Sequence, residues 1–325
     1  RGSAPQPSSR HPVHRGPVES NRPNVSDGST LPTHLVRGSP PTVDRAKGVH
    51  GRDRSLRGND SPPAQRHGVS ADDSLQVQAK KKTPETDAIF EELKRVHQAA
   101  DADPTVLRIS EDAKAAIKVG EFSRGGKSRV PVKALDHDFN PELVLTPFGL
   151  LLPKYGDLFI SMVRSRCTSD CIVDQLQHVW STIKLRFPMV STLLLDQDNG
   201  PENHSRRTQY IKRIIEFADI NQVNIRLAYY PPYHSKYNPI ERTWGALEKY
   251  WNGTLLDSVR TVVEMASAMR WKGEHPVVRL VTDVYAKGVR LTKSVMDTLE
   301  QRLQRSSTPK LAKYFVDIPF MPAPN

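Results

Sequence analysis

The chain has 325 residues, a formal net charge of +11 and a hydrophobic content of 37%. The charge indicates a polyanionic partner, and the sequence has neither a basic amphipathic helix nor an apolar run long enough to span a bilayer. Only two cysteines are present, Cys167 and Cys171, which argues against a disulfide scaffold and is typical of a reducing compartment. Nucleic acid is therefore the expected partner, rather than a membrane.

Composition divides the chain into three parts. Residues 1–82 contain ten prolines and no Phe, Tyr or Trp, so they cannot bury enough apolar surface to offset the entropy lost on ordering. We predict a disordered, basic segment rich in Pro, Ser and Arg there. Residues 83–306 carry the periodic patterns of a folded domain with C-terminal helices, and residues 307–325 are expected to form a tail.

The elements of the folded part follow a recognisable order. After a helix that begins near Thr83, β-rich runs flank Gly120 and the Gly125-Gly126 turn, and a further strand precedes a helix from Ser169 to Trp180. Strand, helix, strand and helix then follow in succession to Trp251. Two more helices are predicted, over 255–269 and 292–303. This order predicts an α/β fold in which helices flank a mixed sheet.

Acidic side chains stand at the ends of these elements. Asp198 follows the buried strand that ends near Leu195, at the position where open α/β sheets bind ligands. Glu241 lies in the first turn of a helix whose apolar stripe includes Trp244. It is either a functional acid or the partner of Asn238 in a capping box.

Cations and aromatic residues accompany these acids. The helix after Asp198 carries Arg206, Arg207, Lys212 and Arg213, and cations near a helix start oppose the dipole unless an anion is present. The loop before Glu241 carries Tyr233, His234 and Lys236, residue types that stack on bases and bind phosphate. We expect these seven residues to contact DNA. A solvated basic helix face and tyrosines that only pack the loop are the alternatives.

Six sequence strings between Thr83 and Ile318 resemble DDE-type insertion-sequence transposases of the Azospirillum and Rhodopirellula type. The strings are ISEDAK, GEFSRGGKSR, DNGPENHSRRTQ, YYPPYHSKYNPIERTWG, WNGTLLDSV and WKGEHPVV. The resemblance implies an RNase H-like catalytic fold and assigns three metal-binding catalytic carboxylates, Asp112, Asp198 and Glu241. Asp196, two residues before Asp198, is the alternative ligand, and Glu248 is a weaker one.

The same resemblance implies a Mg²⁺-dependent enzyme that cuts DNA and transfers strands of an insertion sequence. Two Mg²⁺ ions, for which Mn²⁺ would substitute, suit carboxylate ligands and neutralise charge at the attacking and leaving oxygens of a phosphodiester. The expected partners are insertion-sequence ends and target DNA, with a homo-oligomer in the synaptic complex. The expected location is the bacterial cytoplasm, at the nucleoid.

The front of the chain departs from the family pattern. Such transposases usually carry a helix-turn-helix-like region that recognises the ends of the element, and residues 1–82 show no such pattern. The alternative function is therefore a catalytically inactive, DNA-binding remnant of a transposase that lacks its end-recognition domain.

Overall fold

The computed structural model describes residues 82–122 and 143–322. Apart from Lys82, the predicted disordered segment lies outside these residues, and so does the predicted turn at Gly125-Gly126. In the described part of the chain the strands are β1 (Val106–Ala113), β2 (Ile117–Val119), β3 (Leu143–Leu151), β4 (Leu158–Val163), β5 (Thr192–Gln197), β6 (Asn224–Tyr229), β7 (Val277–Val281), β8 (Gln304–Arg305) and β9 (Phe315–Ile318). The α-helices are α1 (Thr86–Ala102), α2 (Ser169–Ile183), α3 (Thr208–Asn221), α4 (Glu241–Trp251), α5 (Val259–Ala268) and α6 (Lys293–Glu300), and short 3₁₀ turns cover Lys184–Arg186 and Ser235–Tyr237.

The strands form one mixed sheet in the order β7-β4-β3-β1-β5-β6-β9-β8, and β2 pairs with β3. β1 lies inside the sheet, antiparallel to β3 and parallel to β5, and β5 is parallel to β6. Parallel strands end at the same edge of a sheet, so β1 and β5 bring their carboxyl ends together. The predicted mixed sheet flanked by helices is confirmed.

Alternation along β4 shows why helices cover both faces of this sheet. Ile160 and Met162 belong to one apolar cluster with α4 and α5, whereas Phe159 belongs to the other cluster, which contains residues of α2 and α3. Ser161, on the side of Phe159, donates to Gln175 of α2 at 2.9 Å. Successive side chains of a strand point to opposite faces, so a strand that is buried throughout requires a layer on each side.

The C-terminal part of the chain differs from the prediction. Residues 307–325 were expected to form a tail, but Phe315–Ile318 form β9, which pairs antiparallel with β6 and carries the fully buried Val316. A four-residue strand is too short to stand out as a periodic pattern, and pairing with β6 supplies the backbone hydrogen bonds that stabilise it. Among the described residues, no helix is both long and apolar enough to cross a membrane.

Candidate functional site

Asp112 lies near the end of β1, on the face that α4 covers. Ser110, two residues earlier on the same face, accepts a hydrogen bond from the backbone N–H of Ile240 at 2.9 Å and donates to the side chain of Asn238 at 2.5 Å. Asp112 itself accepts a hydrogen bond on Oδ2 from the indole N–H of Trp244 at 3.1 Å. These contacts fix the start of α4 against β1.

Glu241 is the first residue of α4. A capping box with Asn238 would place it at the third position of the helix. Asn238 was the predicted cap, but its side-chain amide donates to the carbonyl of Glu111 at 3.1 Å and its backbone N–H donates to Ser235. The start of α4 has no side-chain capping hydrogen bond. The capping-box interpretation of Glu241 is therefore wrong, and its half-buried carboxylate has no hydrogen-bond partner within residues 82–122 and 143–322.

Asp198 directly follows β5, as the sequence predicts. Its Oδ1 accepts a hydrogen bond from the side-chain amide of Asn203 at 3.4 Å. Gly200 lies against the same carboxylate, and a Cβ at this glycine would lie 3.2 Å from Oδ1 of Asp198. Asp112 and Asp198 both line a cavity of about 200 Å³ at the carboxyl edge of the sheet.

The acids of this edge affect one another electrostatically. Burial raises the pKa of Asp112 to about 7, with further contributions from the negative charges of Asp198 and Glu241. Glu111 is the neighbour of Asp112 in β1, so its side chain points to the opposite face of the strand. There its Oε1 accepts a hydrogen bond from Gln197 at 2.7 Å. Its pKa is raised to about 8, mainly by complete burial and then by Asp112 and Asp198. The side chains of Asp112, Asp198 and Glu241 are remote in sequence, yet they act on one another electrostatically. We call these three carboxyl groups the acid cluster.

This cluster suits a hard divalent cation in its donor chemistry, because Mg²⁺ prefers carboxylate oxygens. A bound cation would also relieve the repulsion that helps to raise the pKa of Asp112. In the described part of the chain, no three His, Cys, Asp or Glu side chains are arranged as a metal-binding group. The structure thus provides the ligand type and the negative charge, without a closed three-ligand site.

Residues 64–319 match the family described as the Rhodopirellula transposase DDE domain. The chain belongs to this family. Members of the DDE transposase family generally use divalent metals. The observed order of strands and helices agrees with the RNase H-like core that the family resemblance implies. A comparison with curated proteins found no match.

Similar solved structures include complexes of the Mos1 transposase. A Mos1 paired-end complex with the left transposon end has a TM-score of 0.40 at 11% identity, over 62% of this chain and 57% of that chain. A Mos1 mariner paired-end complex with Mn has a TM-score of 0.37 at 12% identity, over 55% of this chain and 51% of that chain. The chain therefore spans little more than half the length of these transposases.

The two alternative acids of this DDE domain have basic side chains as partners. Asp196 is completely buried in β5, and its carboxylate contacts His97 Nε2 at 2.7 Å and Arg108 Nη1 at 3.4 Å. Glu248, farther along α4, pairs with Lys114 at 2.6 Å. The negative charges that raise the pKa of Asp112 come instead from Asp198 and Glu241, after the larger effect of burial. These ion pairs distinguish Asp196 and Glu248 from Asp198 and Glu241, which act electrostatically on Asp112.

The predicted DNA-binding cations differ in their surroundings: Arg206 and Arg207 precede α3, whereas Lys212 and Arg213 lie on it. Arg206 is exposed and has no ion pair in the described part of the chain. The other three are neutralised by carboxylates: Arg207 by Glu202 at 3.1 Å, Lys212 by Glu216 at 2.6 Å, and Arg213 by Asp170 at 3.0 Å and Asp174 at 2.6 Å. Arg206 is therefore the best placed of the four to contact phosphate.

The loop before α4 combines packing and exposure. His234 is 3% exposed, donates from Nδ1 to the Pro232 carbonyl at 2.7 Å, and packs edge-on against Phe90 of α1. Tyr233 is 69% exposed, and Lys236 is also exposed. His234 therefore packs the loop, whereas Tyr233 and Lys236 are exposed to solvent.

Two features near the acids were not predicted as functional. Trp244 was predicted only as a core residue, because its indole N–H contact with Asp112 involves a residue 132 positions away. A second cavity, of about 550 Å³, adjoins the acid cavity and is lined by the exposed cations Arg164, Arg166 and Lys287. The Arg-Ser-Arg sequence directly after β4 was the available signal for this basic groove.

Proposed function

We propose that this chain is the catalytic core of an insertion-sequence transposase, which cuts DNA strands and transfers them with the help of divalent cations. The observation that carries the proposal is that Asp198 and Glu241 act electrostatically on Asp112, whose pKa is raised to about 7, first by burial and then by the negative charges of these two acids. Side chains from a strand, a strand end and a helix start share one electrostatic environment. Because every member of this cluster is an acid, the cluster requires cations to become stable when ionised.

In this proposal Asp112, Asp198 and Glu241 hold two Mg²⁺ ions, for which Mn²⁺ substitutes. Divalent cations held there would supply charge neutralisation at the oxygens of a phosphodiester and would lower the pKa of a bound water. Asp112 loses its proton to serve as a ligand. Asn203 orients the carboxylate of Asp198 through its hydrogen bond to Oδ1. No covalent intermediate with the protein is needed, and Asp196 remains a structural residue.

The proposed partner is DNA, both the ends of the element and the target. Arg206, Tyr233 and Lys236 are exposed and flank the acids in sequence, which supports a role in contacting the phosphate backbone. The basic groove of Arg164, Arg166 and Lys287 adjoins the acid cavity and adds positive charge beside it. We also propose that the protein acts at the bacterial nucleoid and forms a homo-oligomer when it brings two element ends together.

A nicking assay on supercoiled plasmid DNA tests this function without knowledge of the end sequence. The full chain is incubated with Mg²⁺ or Mn²⁺, and we expect relaxation of the plasmid only when a divalent cation is present. The variants Asp112→Asn, Asp198→Asn and Glu241→Gln each remove one carboxylate and should slow nicking at least about 100-fold, because positioned metals and their ligands supply several kcal/mol of transition-state stabilisation.

Glu248→Gln is the matched control, because it removes an acid from the same helix and should leave nicking unchanged. Equal nicking by all the variants would assign the activity to a contaminant. Wild-type protein that shifts DNA in a gel but never nicks it would support the inactive, DNA-binding remnant instead.

A further inference from the structure

Trp244 reaches the site from the same turn of helix that carries Glu241. Residues three apart lie on the same side of a helix, so α4 presents Glu241 and Trp244 together to the end of β1. The indole is 4% exposed and donates its N–H to Oδ2 of Asp112 at 3.1 Å. One helix therefore contributes both a charged group and a neutral hydrogen-bond donor to the acid cluster.

Gly149 of β3 makes this approach possible. It is the register partner of Asp112 in the antiparallel pair of β1 and β3. A Cβ at Gly149 would lie 2.6 Å from Cη2 and 2.8 Å from Cζ2 of Trp244, and 3.0 Å from Cδ1 of Ile240. These separations are shorter than van der Waals contact, so any larger residue would displace the indole ring.

We propose that Trp244 is a positioning residue, which fixes the orientation of the Asp112 carboxylate through its indole N–H, and that Gly149 provides the space for it. The inference rests on the proposed function, in which Asp112 holds a divalent cation. A neutral N–H suits this task, because it stabilises the ionised carboxylate and restricts its rotation without adding a positive charge. Asp196 shows the contrasting arrangement, since His97 and Arg108 hold its carboxylate.

Packing alone would not require the N–H of Trp244. The ring belongs to an apolar cluster with Ile240 and Leu247, and a hydrophobic ring without a donor could fill much of the same space. The two roles are therefore separable by removing the N–H while the ring stays. Trp244→Phe does this approximately, and replacement of Trp244 by the isosteric β-(3-benzothienyl)alanine does it with little change in shape.

Trp251→Phe is the matched control. Trp251 is a buried tryptophan of the same helix, and its indole N–H also donates to a carboxylate, that of Glu248, at 2.8 Å. Its replacement imposes a similar packing change away from Asp112. The readouts are the Kd for Mn²⁺ by calorimetry, the urea midpoint of unfolding, and plasmid nicking.

We expect both Trp244 replacements to weaken Mn²⁺ binding about 10-fold, the factor that corresponds to a charge-assisted hydrogen bond of about 1.4 kcal/mol. Trp251→Phe should bind Mn²⁺ as the wild type does. The benzothienyl variant should unfold at a urea midpoint no lower than that of Trp251→Phe, which also loses an indole hydrogen bond to a carboxylate, and this separates the effect from a loss of folding. Unchanged Mn²⁺ affinity in both Trp244 replacements would overturn the inference.

The same measurements distinguish this inference from the proposed function. Wild-type protein that binds Mn²⁺ and does not nick DNA would contradict the proposed function, while a loss of Mn²⁺ affinity in the Trp244 replacements would still support the positioning role. Wild-type nicking with equal Mn²⁺ affinity in all variants would overturn the positioning role and leave the proposed function intact. A wild-type chain that binds no Mn²⁺ would overturn both.

Gly149→Ala gives an independent check of the geometry. It should weaken Mn²⁺ binding in the wild-type background, because the added Cβ displaces the indole. In the Trp244→Phe background the same change should have a much smaller effect, since contacting residues act non-additively. Equal effects of Gly149→Ala in the two backgrounds would overturn the assignment of Gly149.

Discussion

Two acidic centres lie side by side on β1 and β5, and they differ in whether basic side chains of the chain compensate their negative charge. At the first, the carboxylate of Asp196 is completely buried and held by His97 and Arg108, and Arg108 also pairs with Asp101 at 3.0 Å. At the second, Asp112 shares its surroundings with Asp198 and Glu241, and its pKa is raised to about 7. The first centre is neutralised by the chain itself, and the second is not.

The difference separates Asp196 in β5 from Asp198, which lies just after the same strand. A buried carboxylate that is paired with cations contributes to folding only as long as the pair is complete. A cluster of carboxylates costs free energy of folding, and that cost falls only when protons or external cations arrive. The contrast supports our proposal that the edge of the sheet at Asp112 and Asp198 binds a ligand.

Asp196→Asn should produce the largest loss of stability in this comparison. The substitution keeps the shape of the side chain but leaves Arg108 and His97 beside a neutral group, and breaking one partner of a buried ion pair costs about 3 kcal/mol. Urea-induced unfolding measures this free energy. Asp198→Asn, made two residues away, is the control and should cost nothing. A wild-type unfolding free energy in Asp196→Asn would remove the distinction between the two centres.

Glu111→Gln tests the cost of an uncompensated buried acid on the other face of β1. The pKa of Glu111 is raised from 4.5 to about 8 by burial, so the folded chain binds this proton more tightly than the unfolded chain does. The protonated carboxyl of Glu111 therefore contributes to the free energy of unfolding below the unfolded pKa. This contribution is lost as the pH rises from about 4.5 towards 8. Glu111→Gln removes the ionisable group and should raise the unfolding free energy at pH 8.5 by on the order of 2 kcal/mol.

The measurement for Glu111→Gln is urea unfolding at pH 5 and pH 8.5, and the variant should show the flatter pH dependence. Glu91→Gln, an exposed position of α1, serves as the control and should follow the wild type at both values. Parallel pH profiles for Glu111→Gln and the wild type would show that Glu111 carries no such penalty.

Addition of Mn²⁺ should give the smallest effect and should act on one centre only. At a concentration ten times its Kd, a ligand that binds only the folded chain raises the unfolding free energy by about 1.4 kcal/mol. We expect this gain in the wild type, and its loss in Asp198→Asn, as measured by thermal unfolding with and without the metal. Glu248→Gln should retain the gain. Stabilisation of Asp198→Asn equal to that of the wild type would place the cation elsewhere.

Local patterns were sufficient for much of the fold. The apolar spacing of Ile89, Leu93 and Val96 predicts α1, and these three side chains are buried in the structure. The apolar run before Asp198 predicts β5. The helix predicted over 255–269 is shorter in the structure, because Ser258 caps α5 by accepting a hydrogen bond from the N–H of Thr261. β9 was missed since a four-residue strand depends on pairing with its neighbour β6 rather than on its own periodicity.

The sequence by itself determined the order of the elements, the position of Asp198 at a strand end and the family resemblance, because periodicity and turn residues act over a few positions. Only the tertiary structure decided the role of Asn238, whose side chain bonds to Ser110, 128 positions away. It also decided that the carboxylate of Asp196 contacts His97, 99 positions away, and that Trp244 contacts Asp112. Hydrogen bonds and ion pairs between remote residues depend on which strands become neighbours, and local sequence does not encode that pairing.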